Sequence, residues 1–365
     1  MSGKGARIII AGGGTGGHLF PGIAIAEEFL KRDRETKILF VSSGRGLEKD
    51  ILSGLGFPLR AIRIEGFKGR GLMEAFGALM KLPRSMWESY RIIRDYHPQL
   101  VIGVGGYASG PVVLAACLLG IKTAIAEQNA LPGVTNRILG RFADRVFLTY
   151  VETRRWFPAE KTVVSGNPVR KAFLAGAWDG KKKGGRFTIL VFGGSQGARS
   201  INRMILGALP FLGVKERGIR IIHQTGDNDL QYVSDIYRSY GLDAEVYSFI
   251  REMAGAYGEA DLVICRAGAT SLAEITVMGK AAILIPFPFA VDDHQRKNAE
   301  ALVRAGAAAM IEERGQNGKE LAEIIKQFYD HREMLRDMEA KAASLGNAGA
   351  AAAIVDACLS LIKSA

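Results

Sequence analysis

Cysteine is scarce, and the three present, Cys117, Cys265 and Cys358, all sit in apolar surroundings. So small and odd a set excludes a disulfide framework or a thiolate metal cluster, and predicts buried free thiols of a cytosolic protein. Long apolar runs are missing too. No segment reaches the ~18 to 20 uninterrupted apolar residues of a membrane span, so a soluble globular protein is expected. Met1-Ser2-Gly3-Lys4-Gly5-Ala6-Arg7 leads into a first strand without an apolar signal region. Metal-ligand spacing is absent: Asp292-Asp293-His294 are adjacent ligand types with no distant partner, and Asp293 reads better as a helix N-cap. No aromatic–basic motif for nucleic acid occurs either. The formal charge of +11 therefore points to other anionic partners, a phosphorylated substrate or an acidic lipid surface.

What the chain does have is glycine at the ends of apolar strands. At 365 residues it exceeds one ordinary core, and two domains are expected. The first apolar run, Ile8-Ile9-Ile10-Ala11, breaks into Gly12-Gly13-Gly14-Thr15-Gly16-Gly17-His18 and then into helical spacing from Leu19. Such a strand–turn–helix lets backbone approach a ligand closely and aims helix N–H groups at an anion. His18 at its mouth can donate to phosphate or take a proton near neutral pH. Strand-like runs follow at 37–41, 100–104, 122–126, 145–148 and 161–164, alternating with helical segments as in parallel α/β domains. The pattern restarts after Gly180-Lys181-Lys182-Lys183-Gly184-Gly185, with strands at 187–192, 219–224, 244–249, 262–266, 281–286 and 307–311. A second glycine turn, Gly193-Gly194-Ser195-Gln196-Gly197, opens the second half. The reading is two Rossmann-like domains facing a cleft, residues 1–166 and 167–347, with a closing helix at 348–365 packing back on the first.

Three other stretches carry polar groups where parallel strands end, and a fourth concerns partners. Arg266 to Glu274 puts a carboxylate one turn inside a helix, where it can accept both hydroxyls of a ribose or merely favour the helix dipole. Pro286 to Ala299 is a donor-rich loop containing His294 and Gln295. Glu127-Gln128-Asn129 follows a strand of the first half. From Lys68 and Arg70 through Leu72, Phe76, Leu79 and Trp87, apolar and basic residues interleave, as suits an anionic membrane face; an ordinary core-facing helix is the alternative, and Pro83 would interrupt it midway.

Taken in order, Gly-Gly-Thr-Gly-Gly-His ending at His18, Gly-Gly-Tyr-Ala-Ser-Gly-Pro from Gly105, Glu127-Gln128-Asn129, Gly-Asn-Pro-Val-Arg ending at Arg170, Gly-Gly-Ser-Gln-Gly-Ala from Gly193, Arg266 to Glu274 and His294-Gln295 with Asn298 resemble glycosyltransferase family 28. The resemblance is to its bacterial peptidoglycan N-acetylglucosaminyltransferases. It implies the glycosyltransferase B fold and an inverting, β-1,4-forming transfer from UDP-N-acetylglucosamine to undecaprenyl-linked muramoyl-pentapeptide, at the cytoplasmic face of the plasma membrane. It also implies a donor site of Thr15, Arg170, Ser195, Gln196, Ile250, Ala269, Thr270, Ser271, Glu274, His294 and Gln295. Gly14, His18, Tyr107 and Asn129 are implied on the acceptor side, and His18, Glu274 and Asn129 as the catalytic set. Ser271 and His294 depart from residues common in the family. No cofactor, metal or nucleic acid is expected, while an anionic membrane surface is. Two competitors stand beside this reading. One is an NADP-dependent oxidoreductase, since Gly12, Gly14 and Gly17 have dinucleotide spacing although Ser42-Ser43-Gly44 lacks the ribose-binding acid. The other is a glycolipid-forming glycosyltransferase with a different acceptor.

Overall fold

The computed structural model describes residues 5–44, 46–64, 82–174, 185–194, 196–215, 217–313 and 317–364. The chain forms two compact units, Met1–Lys171 with Asn347–Ala365, and Ala172–Gly346.

In the first unit the described strands are β1 (Arg7–Ala11), β2 (Lys37–Ser42), β3 (Leu59–Ala61), β4 (Leu100–Gly103), β5 (Lys122–Glu127), β6 (Arg145–Leu148) and β7 (Thr162–Val164). They lie parallel in the order β3-β2-β1-β4-β5-β6-β7. Their near-continuous apolar sequences suit a sheet covered on both faces. Side-chain alternation divides β1 between two cores. Ile8 and Ile10 pack with Ile23 and Phe29, whereas Ile9 and Ala11 pack with Val112 and Val113. The periodicity gives no sign of β3, because this short edge strand is largely exposed.

The helix Ala350–Lys363 belongs to the first core, with Ile354, Val355 and Cys358 packed among Ile8, Ile23 and Phe29 and Asp356 paired to Arg32 at 2.9 Å. The span from Arg332 to Lys363 has the length and hydropathy of a membrane helix. It is not one helix: it folds as Arg332–Leu345 in the second unit and Ala350–Lys363 in the first. Cys265 and Cys358 are buried free thiols, and burial pushes both above the ordinary thiol range.

The second unit repeats the plan with β8 (Thr188–Phe192), β9 (Arg220–Gln224), β10 (Ala244–Tyr247), β11 (Leu262–Cys265), β12 (Ala281–Leu284) and β13 (Ala309–Met310), in the order β10-β9-β8-β11-β12-β13. Numbered within their own unit, the first six strands of each sheet run 3-2-1-4-5-6. That order places a switch point between the first and fourth strands, β1 and β4 in one unit and β8 and β11 in the other.

A buried polar network underlies the second unit. Asn202 Nδ2 donates to the Thr225 carbonyl at 3.0 Å and to Asp229 at 2.8 Å, which leaves its Oδ1 to accept from His223 Nε2 at 3.0 Å. The proton is thus on Nε2, and His223 Nδ1 accepts from the Tyr237 hydroxyl at 2.8 Å. Burial pushes the His223 pKa down to about 3. As pH falls, the unfolded chain protonates this histidine first, near its ordinary 6.5. The stabilisation is complete above that value and is lost on acidification towards 3, at about 1.4 kcal/mol per pH unit. Urea midpoints of the second unit's transition should show this slope between pH 6.5 and 4, and His223→Gln should flatten it; an unchanged slope in the variant would assign the acid sensitivity elsewhere.

Candidate active site

In the first unit two glycine loops interlock at the β1/β4 switch point. Gly12, Gly13 and Gly14 follow β1 with φ of +147°, +139° and +91°, and Gly105 and Gly106 follow β4 with φ of +93° and +78°. A Cβ on Gly12 would lie 2.4 Å from the Gly105 carbonyl oxygen, and one on Gly106 would lie 2.2 Å from that of Gly13. Only glycine allows this approach at these dihedrals. Across the same gap His18, half-buried in the first turn of the helix Gly16–Arg32, places Nδ1 3.1 Å from the Val104 carbonyl. A carbonyl only accepts, so Nδ1 carries the hydrogen. The neutral ring therefore has its lone pair on Nε2, the tautomer a general base requires. Gln128, fully buried after β5, donates to the same carbonyl at 3.0 Å.

Two carboxylates shape this loop cluster. Glu127, at the end of β5, accepts the Asn129 amide at 3.0 Å, the Asn129 side chain at 3.2 Å, the Gly133 amide at 3.1 Å and the Asn136 side chain at 2.9 Å. Burial raises its pKa, against the pull of these four donors. Its effect is to fix the backbone and side chain of Asn129. Glu48, also buried, accepts the Gly14 amide on Oε1 and the Ser42 hydroxyl on Oε2 at 2.7 Å. The Gly14 amide, expected to meet a ligand anion, is thus engaged by an internal one. In sequence Glu48 reads only as an acidic residue in a helix's first turn, which is why the motif analysis passes over it.

In the second unit the turn after β8 is built the same way. A Cβ on Gly197 would lie 1.9 Å from the Thr225 carbonyl oxygen, at φ +74°. Gly194 has φ +104°, and its carbonyl accepts from Gln224 Nε2 at 2.7 Å. The helix Arg199–Leu212 follows the turn. Beyond β11 the helix Ala269–Met278 presents Ala269, Thr270 and Glu274 buried and Ser271 half-buried. Arg266, between strand and helix, donates to the carbonyls of Ile285 and Pro286 at 3.0 and 3.1 Å and to Ser200 at 2.7 Å. It ties the loops after β11 and β12 to the first turn of the helix Arg199–Leu212.

Each expected residue that is described lies past the carboxyl end of a strand, where ligands of such sheets bind. Thr15 is exposed, Asn129 half-buried and Tyr107 46% exposed, all in the first unit with Gly14 and His18. Arg170 also belongs to the first unit, its guanidinium 4.0 Å from the Phe20 ring centroid. In the second unit Gln196 is exposed, Ile250 is buried with its amide on Gln224 at 2.7 Å, and His294 is half-buried at the start of the helix His294–Arg304. Gln295 accepts the Phe287 amide at 3.0 Å and so braces its own loop. Asp293 occupies the N-cap position without a side-chain cap bond; at φ +55° its backbone is left-handed, like that of Asp292 at φ +54°. Two consecutive non-glycine residues there store strain in this loop.

Ser195 and the stretch holding Lys68, Arg70, Leu72, Phe76 and Leu79 lie outside the described residues. Trp87 is 58% exposed, with Arg91 4.8 Å from its ring centroid. Pro83 is the second residue of the described helix Leu82–Tyr96, and the residues immediately before Leu82 lie outside the described ones. Among the described residues no group of three or more His, Cys, Asp or Glu side chains is placed to hold a metal ion.

This arrangement matches known proteins along its whole length. The model of the glycosyltransferase family 28 N-terminal domain matches residues 8–148, and that of the C-terminal domain matches 188–360. A relative from Syntrophus aciditrophicus, a UDP-N-acetylglucosamine–N-acetylmuramyl-(pentapeptide) pyrophosphoryl-undecaprenol N-acetylglucosamine transferase, is 59% identical over 98% of this chain and 99% of its own. The chain belongs to glycosyltransferase family 28. Family 28 membership also accords with the solved structures. The crystal structure of Acinetobacter baumannii MurG is similar with a TM-score of 0.75 at 33% identity, covering 99% of this chain and 100% of that one. A UDP-GlcNAc 2-epimerase from Neisseria meningitidis bound to UDP-GlcNAc reaches a TM-score of 0.68 at 15% identity, covering 98% and 100%. At that identity the second likeness concerns the fold alone, the two-domain glycosyltransferase B architecture. The C-terminal family model runs on to residue 360, so it takes in most of the helix Ala350–Lys363 that packs in the first unit.

Proposed function

We propose that this family 28 enzyme transfers N-acetylglucosamine from UDP-N-acetylglucosamine to the 4-hydroxyl of muramoyl-pentapeptide on undecaprenyl diphosphate, with inversion. The observation that carries the reading is full-length similarity to a transferase of that activity, with His18 held in the base-competent tautomer. In the step, the acceptor oxygen forms a bond to the anomeric carbon as the bond from that carbon to the diphosphate breaks. The acceptor proton passes to His18 Nε2, and the electron pair of the breaking bond leaves with UDP. The leaving diphosphate is assigned to the turn at Gly193–Gly197 and the N-terminus of Arg199–Leu212, whose amides supply fixed positive potential where charge develops. Glu274 is assigned to the ribose hydroxyls, the Ile250 segment to the nucleobase, and Ala269, Thr270 and Ser271 to the rest of the nucleotide. His294 and Gln295 are assigned to the sugar. Asn129, fixed by Glu127, and Tyr107 are assigned to the acceptor. Neutralisation by amides and helix dipoles requires no protein-held metal or cofactor in this scheme.

The acceptor lies on a lipid, and the reading places the enzyme peripherally on the anionic cytoplasmic face of the membrane. Its charge of +11 and the exposed Trp87 beside Arg91 support that placement. The dinucleotide alternative fares worse. The Gly14 amide that would meet a pyrophosphate is taken by Glu48, and β2 ends on Ser42, whose hydroxyl is given to the same carboxylate.

The test is incubation with UDP-N-acetylglucosamine radiolabelled in the sugar and the lipid-linked muramoyl-pentapeptide. Label should move to the lipid fraction with stoichiometric UDP release. Transfer only to another glycolipid, or no transfer at all, would overturn the acceptor assignment.

A further inference from the structure

The carboxyl end of β9 meets two parts of the donor site, and one side chain spans them. Gln224 is fully buried. Its Nε2 donates to the Gly194 carbonyl at 2.7 Å, and its Oε1 accepts the Ile250 amide at 2.7 Å. Gly194 is in the turn after β8, and Ile250 lies beyond β10. Because β9 sits between those strands in the sheet, its last residue can reach both. Neither bond can reverse, since a carbonyl only accepts and an amide N–H only donates, so the orientation of the side-chain amide is fixed.

The backbone beyond Gln224 continues the bridge. Thr225 and Gly226 donate to the carbonyls of Tyr247 and Ser248 at 2.9 and 3.2 Å. On the other side, a Cβ on Gly226 would lie 2.2 Å from the Gln196 carbonyl oxygen, and one on Gly197 would lie 1.9 Å from that of Thr225. The segment is hydrogen-bonded to one neighbour and leaves no room for a methyl group against the other.

We propose that Gln224 is a positioning residue that sets the spacing between the turn for the diphosphate and the Ile250 segment for the nucleobase. The inference rests on the donor-site reading above. A ligand carrying only a base or only a diphosphate engages one side and is indifferent to the spacing. UDP engages both, and it loses affinity when the two sides are no longer held at its own length, because their reordering is then charged against binding.

The experiment compares the full chain with Gln224→Leu and Gln224→Glu. Leucine removes both bonds at similar volume. Glutamate keeps the acceptor for Ile250 but turns an oxygen towards the Gly194 carbonyl, and it serves if the leucine variant fails to fold. Inhibition constants for UDP, uridine and inorganic pyrophosphate are measured beside KM and kcat for UDP-N-acetylglucosamine. In both variants the UDP constant and KM should rise by about tenfold or more, with kcat within about threefold. Uridine and pyrophosphate should each change by less than about twofold. Equal weakening of uridine and UDP would overturn the spacing role in favour of direct support of the base. Variants with unchanged UDP affinity, in a wild type that binds UDP, would overturn it alone. A wild type that does not bind UDP would remove the donor-site reading and this inference with it.

Discussion

Replacing His18 with alanine should lower kcat by about 10²- to 10⁴-fold, the usual range for loss of a positioned general base, while KM for both substrates stays within about threefold. The expectation follows from one hydrogen bond. The Val104 carbonyl holds Nδ1–H at 3.1 Å and so assigns the lone pair to Nε2. The rival role, hydrogen bonding to a substrate diphosphate, predicts a different pattern. A lost phosphate contact would raise KM with kcat little changed, whereas a lost base lowers kcat with KM little changed. Near-normal turnover of His18→Ala at saturating substrates would end the base assignment. Gly105 belongs to the same arrangement, since a Cβ there would lie 2.4 Å from His18 Nδ1.

The second large effect falls on binding. Glu274→Ala should raise KM for UDP-N-acetylglucosamine by about 10- to 100-fold, because hydrogen bonds to a buried charged group contribute about 1.5–3 kcal/mol. Glu274 is buried, so the alanine variant also leaves a cavity, and Glu274→Gln separates the two effects by keeping the volume. A more specific readout is discrimination between UDP and 2′-deoxy-UDP as inhibitors. The wild type should favour UDP by about tenfold, the worth of one such bond; Glu274→Ala should lose most of that preference, and Glu274→Gln should keep part of it through its amide oxygen. Preference retained in Glu274→Ala would move the ribose contact to another residue.

Much of this architecture is legible in the sequence, for a local reason. β1 and β8 are short apolar runs ending in glycines that tolerate positive φ, and a glycine-rich strand end followed by helical spacing signals the same unit twice. What is hidden depends on strand order. Gln224 joins residues 30 positions before it and 26 after it, and Gln128 reaches back 24 to the Val104 carbonyl. Such partners are adjacent only once the order 3-2-1-4-5-6 is known, and periodicity does not specify order. Glu48 is hidden for the same reason: its partners Gly14 and Ser42 come from the ends of two other elements. Asp293 is legible in part: it takes the N-cap position that its residue type suggests, but the loop holds it left-handed and without the side-chain cap bond. The domain boundary expected at 166 is likewise blurred by a contact between distant residues. Asn347 donates to the Ser165 carbonyl at 2.8 Å, and Lys171 donates its amide to Glu27 at 3.1 Å, so both crossing segments are tied to the first unit.

The central claim is that the nucleotide belongs to the second glycine turn and not to the first, where dinucleotide spacing would place it. Amide hydrogen exchange with and without UDP tests this most directly. Protection is predicted in 193–198, 224–226, 248–251 and 268–274, with exchange at 12–18 unchanged; protection at 12–18 without change at 193–198 would contradict the account.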